Sequence, residues 1–201
     1  ASERHPSHER QKGLLGDYYD IEFLRIAIGT LRGEPDARTR TAFAELTATY
    51  LDRLFGFCCR EAEHRAGWPM PDRDRIGVFL SGGNARGRPF DEDYDLLVLI
   101  DSADPADQRF AEHVIVLMNR QIARRGVIAQ YRLGEWLGRY ATTFDELSNL
   151  LARDEDDLFV DRCQLLGSRM TVGSRRIEEQ LLSRVLTPYI FGDAEHFTAR
   201  V

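Results

Sequence analysis

Residues 77–102 read GVFLSGGNARGRPFDEDYDLLVLIDS. A short apolar run, 76–80, ends in Ser81-Gly82-Gly83, and a loop carrying Arg86 and Arg88 follows. Four carboxylates, Asp91, Glu92, Asp93 and Asp95, then fall within five residues, directly ahead of Leu96-Leu97-Val98-Leu99-Ile100. Both apolar runs are short, bounded by turn residues and rich in Leu, Val and Ile. They predict two buried strands, 76–80 and 95–100, joined by an irregular loop. The charge at the mouth of the second strand therefore needs a chemical reason.

Asp93 and Asp95 stand two apart at a strand entry, so their side chains project to one face while Tyr94 points into packing. Two unneutralised carboxylates at close range raise each other's pKa and cost stability, and a divalent cation removes that conflict. Hard oxygen ligands suit Mg²⁺ or Mn²⁺, which keep room for substrate phosphates. Gly82 and Gly83 carry no Cβ, so a ligand can approach the backbone and their N–H groups can form an anion nest. Ser81 adds a hydroxyl. Arg86 and Arg88 either clamp phosphate oxygens or pair with Asp91 and Glu92, which themselves read as solvated loop residues. A charged strand entry and a plain glycine turn would explain each half alone. Their coincidence favours a metal–triphosphate site with Asp93 and Asp95 as metal ligands.

The rest of the chain gives this site a setting. The 201 residues are 43% hydrophobic, enough for one well-cored domain. A net charge of −6 argues against binding nucleic acid through the whole surface. The three cysteines, Cys58, Cys59 and Cys163, do not form a disulfide framework, and a reducing cytoplasm suits them. No Cys/His spacing resembles a zinc site, and no apolar run has the length of a membrane span. The polar start lacks the apolar core of a secretory signal, and residues 1–15 are expected to be flexible. That start and the end at Val201 fit a piece of a longer protein.

Helices are expected over 18–32, 37–65, 105–125, 144–151, 158–168 and 174–186, with Pro188 as the last stop. A third strand is expected over 127–133. This is an α+β pattern: a small mixed β-sheet core with helices packed on it and helical flanks. It divides into an N-terminal helical segment (1–70), a core (71–140) and a C-terminal helical segment (141–201), packed as one unit. Arg120, Arg124 and Arg125 read as complements to a helix dipole. The acidic run 154–157 reads as a solvent-facing stretch, and His113 as a core histidine. Trp68 and Trp136 read first as core residues and second as platforms for an adenine ring.

Gly82-Gly83, a nine-residue spacer and Asp93-Tyr94-Asp95-Leu96 resemble the signature of the DNA-polymerase-β-like nucleotidyltransferase superfamily. With Arg86-Gly87, the loop looks most like the branch of glutamine-synthetase adenylyltransferases and signal-protein uridylyltransferases. Its spacer is shorter here, and Asp91-Glu92 replace small residues. Further on, Arg132, Phe144-Asp145-Glu146-Leu147, Gln164-Leu165-Leu166-Gly167-Ser168-Arg169 and Pro188-Tyr189-Ile190 weakly resemble the adenylyltransferases. The resemblance implies transfer of NMP from ATP or UTP to a hydroxyl, on a protein or a small molecule, with release of pyrophosphate. It also implies a third acid on a later strand. Aligned on Arg132, that acid's place holds Gln130, which offers no charge and cannot act as a base. Glu135 is the nearest acid in sequence that could substitute. Two further expectations follow: a nucleotide-binding regulatory module without turnover, and an interaction module whose long helices dock and whose core modifies or neutralises a helical partner toxin.

Overall fold

The structure, a computed structural model, describes residues 7–67, 69–153 and 158–192. The readings made for Trp68, for 154–157 and for residues 1–6 lie outside the described residues. Helix α1 (His8–Leu31) starts ten residues before the expected 18–32, so residues 8–15 are helical and not loose. Ser7 caps it, its side chain accepting from the Arg10 N–H. The apolar periodicity missed this first half because a buried ion pair fixes it. Lys12, the sole lysine of the chain, is 3% exposed, and its Nζ donates to Glu61 at 2.6 Å and Glu9 at 2.8 Å.

Glu61 belongs to α2 (Asp36–Ala66), which follows after a short turn and ends at Gly67 with φ 63°. A 3₁₀ turn (Arg73–Arg75) leads into β1 (Ile76–Ser81), a one-turn helix α3 (Gly82–Ala85) and β2 (Asp93–Ile100). Next come α4 (Pro105–Ala123), β3 (Ile128–Gln130), α5 (Arg132–Glu135) and β4 (Ala141–Thr143). The chain continues through α6 (Phe144–Leu151), α7 (Leu158–Leu165), β5 (Arg169–Val172) and α8 (Arg175–Leu181). Leu182–Phe191 prolongs α8 as a π-helix that runs past Pro188, which was expected to stop it.

The five strands form one mixed sheet in the order β3-β2-β1-β5, and β4 pairs with β2 as well. β1 is antiparallel to β2 and β5, whereas β3 and β4 are parallel to β2. β3 pairs with Asp93–Asp95 and β4 with Val98–Ile100, so the two short strands share one edge of β2. The expected third strand, 127–133, is thus cut to three residues. At Tyr131, whose buried hydroxyl donates to Asn119 on α4 at 2.6 Å, the chain leaves the sheet to wind α5. β4 and β5, which the sequence pattern did not show, lie beyond residue 140, so the core and the C-terminal segment share the sheet.

Two cores sandwich the sheet. Ile76, Val78, Leu80, Tyr94, Leu96, Val98 and Ile100 pack on α1, α2 and α4. Phe79, Leu97 and Leu99 pack on α6, α7, α8 and the π-helix. Cover on both faces explains why the strands read as unbroken apolar runs. It also locates the acids, since side chains alternate along β2. Asp93 and Asp95 share a face with Leu97 and Leu99, at the end of the strand. Helices cover the apolar half of that face, while Asp93 and Asp95 stay only half-buried.

Among the described residues no helix is long and apolar enough to cross a membrane.

Candidate functional site

Ser81 stands opposite Asp95 in the antiparallel register of β1 and β2. There β1 ends and the chain turns through Gly82, whose φ of 66° only glycine adopts at little cost. The turn and the acids are in direct contact. A Cβ at Gly82 would lie 1.9 Å from Asp95 Oδ2, and one at Gly83 would lie 2.3 Å from Asp91 Oδ2. Asp95 and Asp91 therefore meet the diglycine bend, and the Asp93 carboxylate faces Gln130 on β3. Asp91, read as a solvated loop residue, is half-buried against Gly83, while Glu92 is exposed as expected.

Local bonds hold this arrangement. Ser81 Oγ donates to the Asp95 carbonyl at 3.2 Å. Asn84 Nδ2 donates to the Asp93 carbonyl at 2.6 Å, tying α3 to the start of β2. Phe90 takes a positive φ of 58° and packs against Phe23 and Phe43, with ring centroids 5.5 and 5.4 Å away. A bulky residue in that backbone region is strained, and aromatic packing on α1 and α2 holds it there. The loop of Arg86 and Arg88 is thereby anchored at its far end. Both arginines are exposed; Arg88 Cδ lies near Gly83, and Arg86 leans toward Gly167.

Asp95 is the strained group of the site. Burial, and next the charge of Asp93, push its carboxyl above the ordinary range; Arg132 opposes them, Asp91 adds to them, and Arg86 opposes. Arg132 Nε approaches Asp95 Oδ1 to 3.7 Å, too long for a hydrogen bond, and Oδ1 is buried without a hydrogen-bond partner. An orphaned carboxylate oxygen beside a second carboxylate fits a divalent cation. Among the described residues no three His, Cys, Asp or Glu side chains form a ready metal cage.

Gln130, aligned from the sequence with the third-acid position, pairs with Asp95 in the parallel register of β2 and β3. Its Nε2 donates to Asp93 Oδ2, and its Oε1 accepts from Arg132 Nε at 3.2 Å. Because Arg132 occupies the amide oxygen, Gln130 presents a donor to Asp93 and not an oxygen to a cation. Glu135, the candidate substitute acid, is exposed on α5. With Arg132, Trp136 and Asp161 it lines an open cleft of about 460 Å³. Trp136 is partly open to this cleft, its Nε1 donating to Asp161 at 2.8 Å, so it is not a core residue. Arg124 and Arg125 reach α1 through Glu9 and Asp20 and do more than complement a dipole.

Sequence reasoning missed the contact of Asp91 and the roles of Asn84 and Phe90. A polar residue two past a glycine bend was a usable signal for Asn84; nothing local marks Phe90, whose partners are remote in sequence. No protein-family model and no curated protein sequence matches this chain.

Proposed function

We propose that this chain is a metal-dependent nucleotidyltransferase that moves NMP from ATP or UTP to a hydroxyl, on a protein acceptor, and releases pyrophosphate. The observation that carries the reading is the contact of the Asp95 carboxylate with the Gly82 bend, with one of its oxygens buried and without a hydrogen-bond partner. The pairing of β3 with the start of β2 supports it too, since it brings Gln130, aligned with the third-acid position of the resemblance, beside Asp95.

Asp93 and Asp95 would hold Mg²⁺ or Mn²⁺, which when bound supplies positive charge to the triphosphate. The backbone N–H groups of Gly82 and Gly83 bind the β and γ phosphates, Ser81 joins them when its hydroxyl turns from the Asp95 carbonyl to a phosphate oxygen, and Arg86 and Arg88 stand on the solvent side. Trp136 offers an aromatic face to the base. In the transfer, the acceptor oxygen bonds to the α-phosphorus as the bond from that phosphorus to the bridging oxygen breaks, and pyrophosphate leaves. The acceptor proton passes to solvent water, because β3 presents Gln130 where the resemblance implies a carboxylate. The compartment we assign is a reducing cytoplasm, which suits three free thiols, with no role for bulk nucleic acid.

A second reading has its own observation. Gln130 donates to Asp93 and so competes with a cation for that oxygen. It favours a nucleotide-binding module with weakened or absent transfer.

Calorimetry with ATP and UTP, and transfer assays with α-labelled nucleotide and Mg²⁺ or Mn²⁺, separate the two. Transfer that disappears in Asp93→Ala/Asp95→Ala supports the first reading. Binding without transfer, with tighter metal binding in Gln130→Asp, supports the second. Absence of nucleotide binding under all these conditions overturns both.

A further inference from the structure

Helix α1 turns a row of large apolar side chains to solvent: Leu14, Tyr18, Ile21, Leu24, Ile28 and Leu31, from 38% exposed at Ile28 to 87% at Leu31. Single exposed apolar residues are ordinary, but a row repeating at three and four along one helix face marks an interaction surface. The other face of α1 is already used, with Tyr19 and Ile26 in the core.

The row is symmetric about its own middle. Ile21 and Leu24 flank a point between Glu22 and Phe23; Leu14 and Leu31 are equidistant from that point, and Tyr18 and Ile28 nearly so. A face that reads the same in both directions complements itself when a second helix lies antiparallel to it, as an isologous two-fold contact requires. Charge agrees with that orientation. Parallel docking sets Arg10, Asp17, Arg25 and Arg32 each against its own copy, whereas antiparallel docking brings Asp17 level with residue 28 of the second copy, between its Arg25 and Arg32. Glu22 and Arg25, joined at 2.7 Å on one flank, straddle the midpoint and would meet the inverted pair of a second copy.

We infer that α1 is the contact surface of a homodimer, with the α1 helices of two copies antiparallel across this row. The row spans about 26 Å of helix. Beside it, Ile21, Leu24, Ile28, Arg32 and Glu34 border a depression of about 450 Å³ that can receive side chains from the second copy. Such a contact covers on the order of 600 Å² per copy, at the lower end of what stable dimers bury. The inference does not depend on nucleotide binding.

Sedimentation from micromolar to sub-millimolar concentration tests it. Wild type is expected to approach the mass of two chains, and Ile21→Glu/Leu24→Glu to remain at one, with unchanged circular dichroism because both side chains are exposed. In a Cys163→Ser background, chains carrying Leu14→Cys are expected to cross-link to chains carrying Leu31→Cys and not to themselves. A wild type that stays monomeric throughout overturns the inference and leaves the row to a different partner. A dimer that survives the double substitution, or self-cross-linking of either cysteine chain, overturns it as well.

Discussion

Burial and the neighbouring Asp93 charge disfavour the ionised form of Asp95. Its folded-state pKa lies above the ordinary 3.8, through burial first and Asp93 second. The folded chain thus binds this proton more tightly than the unfolded chain does. Between 3.8 and the raised value, rising pH therefore removes stability. Asp95→Asn is expected to raise resistance to urea at neutral pH by about 1 kcal/mol, a gain that vanishes below the ordinary carboxylate value. Urea denaturation of both proteins across acid pH checks this. The same substitution is expected to abolish any nucleotide transfer, so stability and activity move in opposite directions at one residue. Most of this was legible in the sequence: paired acids behind a glycine bend announced a charge conflict. The bond from Gln130 to Asp93 was not, because it depends on which way Arg132 turns an amide.

Among elements, β1 shows how closely the C-terminal layer approaches the sheet. A Cβ at Gly77 would lie 2.4 Å from Ile177 Cγ2 and 2.8 Å from the Phe79 ring. Both neighbours are buried, so Gly77→Ala is expected to cost about 1–3 kcal/mol by overpacking. Part of that loss should return in Gly77→Ala/Ile177→Leu, which lacks the clashing Cγ2, read by a double-mutant cycle in chemical denaturation. Helix α6 carries a capping box between Thr143 and Glu146. Burial works against the Glu146 charge, but the Thr143 N–H, Arg139 and two threonine hydroxyls outweigh it and hold its pKa below the ordinary 4.5. Glu146→Ala is expected to cost about 1 kcal/mol at neutral pH. The cost should be present above 4.5 and fade as pH falls through the lower folded-state value, seen as converging melting curves. Helix α6, β1 and β2 could be read from local pattern because their signals are local. β4 and β5 could not, since three- and four-residue strands exist only through pairing with β2 and β1.

At the level of the whole molecule, the sheet is the shared wall of two cores. Residues 76–81 and 93–100 contribute to both, and neither helical layer buries its apolar surface without them. Unfolding is therefore expected to be a single transition. In a Trp68→Phe background, Trp136 fluorescence reports the C-terminal layer and far-ultraviolet circular dichroism is dominated by the long N-terminal helices. Their urea curves should coincide, and separated midpoints would show that the layers melt apart. The α+β class was visible as alternating elements, but the reach of the sheet beyond residue 140 was not. Strand pairing across about ninety residues leaves no trace in a local window.

The chain's one lysine gives this assembly a chemical reporter. Lys12 Nζ is locked between Glu9 and Glu61 beneath α1 and α2, and burial opposes its charge while the two carboxylates more than restore it. An amine-directed acylating reagent should leave this side chain untouched while the helices stay docked. Modification at position 12, followed by mass spectrometry over time, would then count the moments at which α1 lifts away, without any engineered probe.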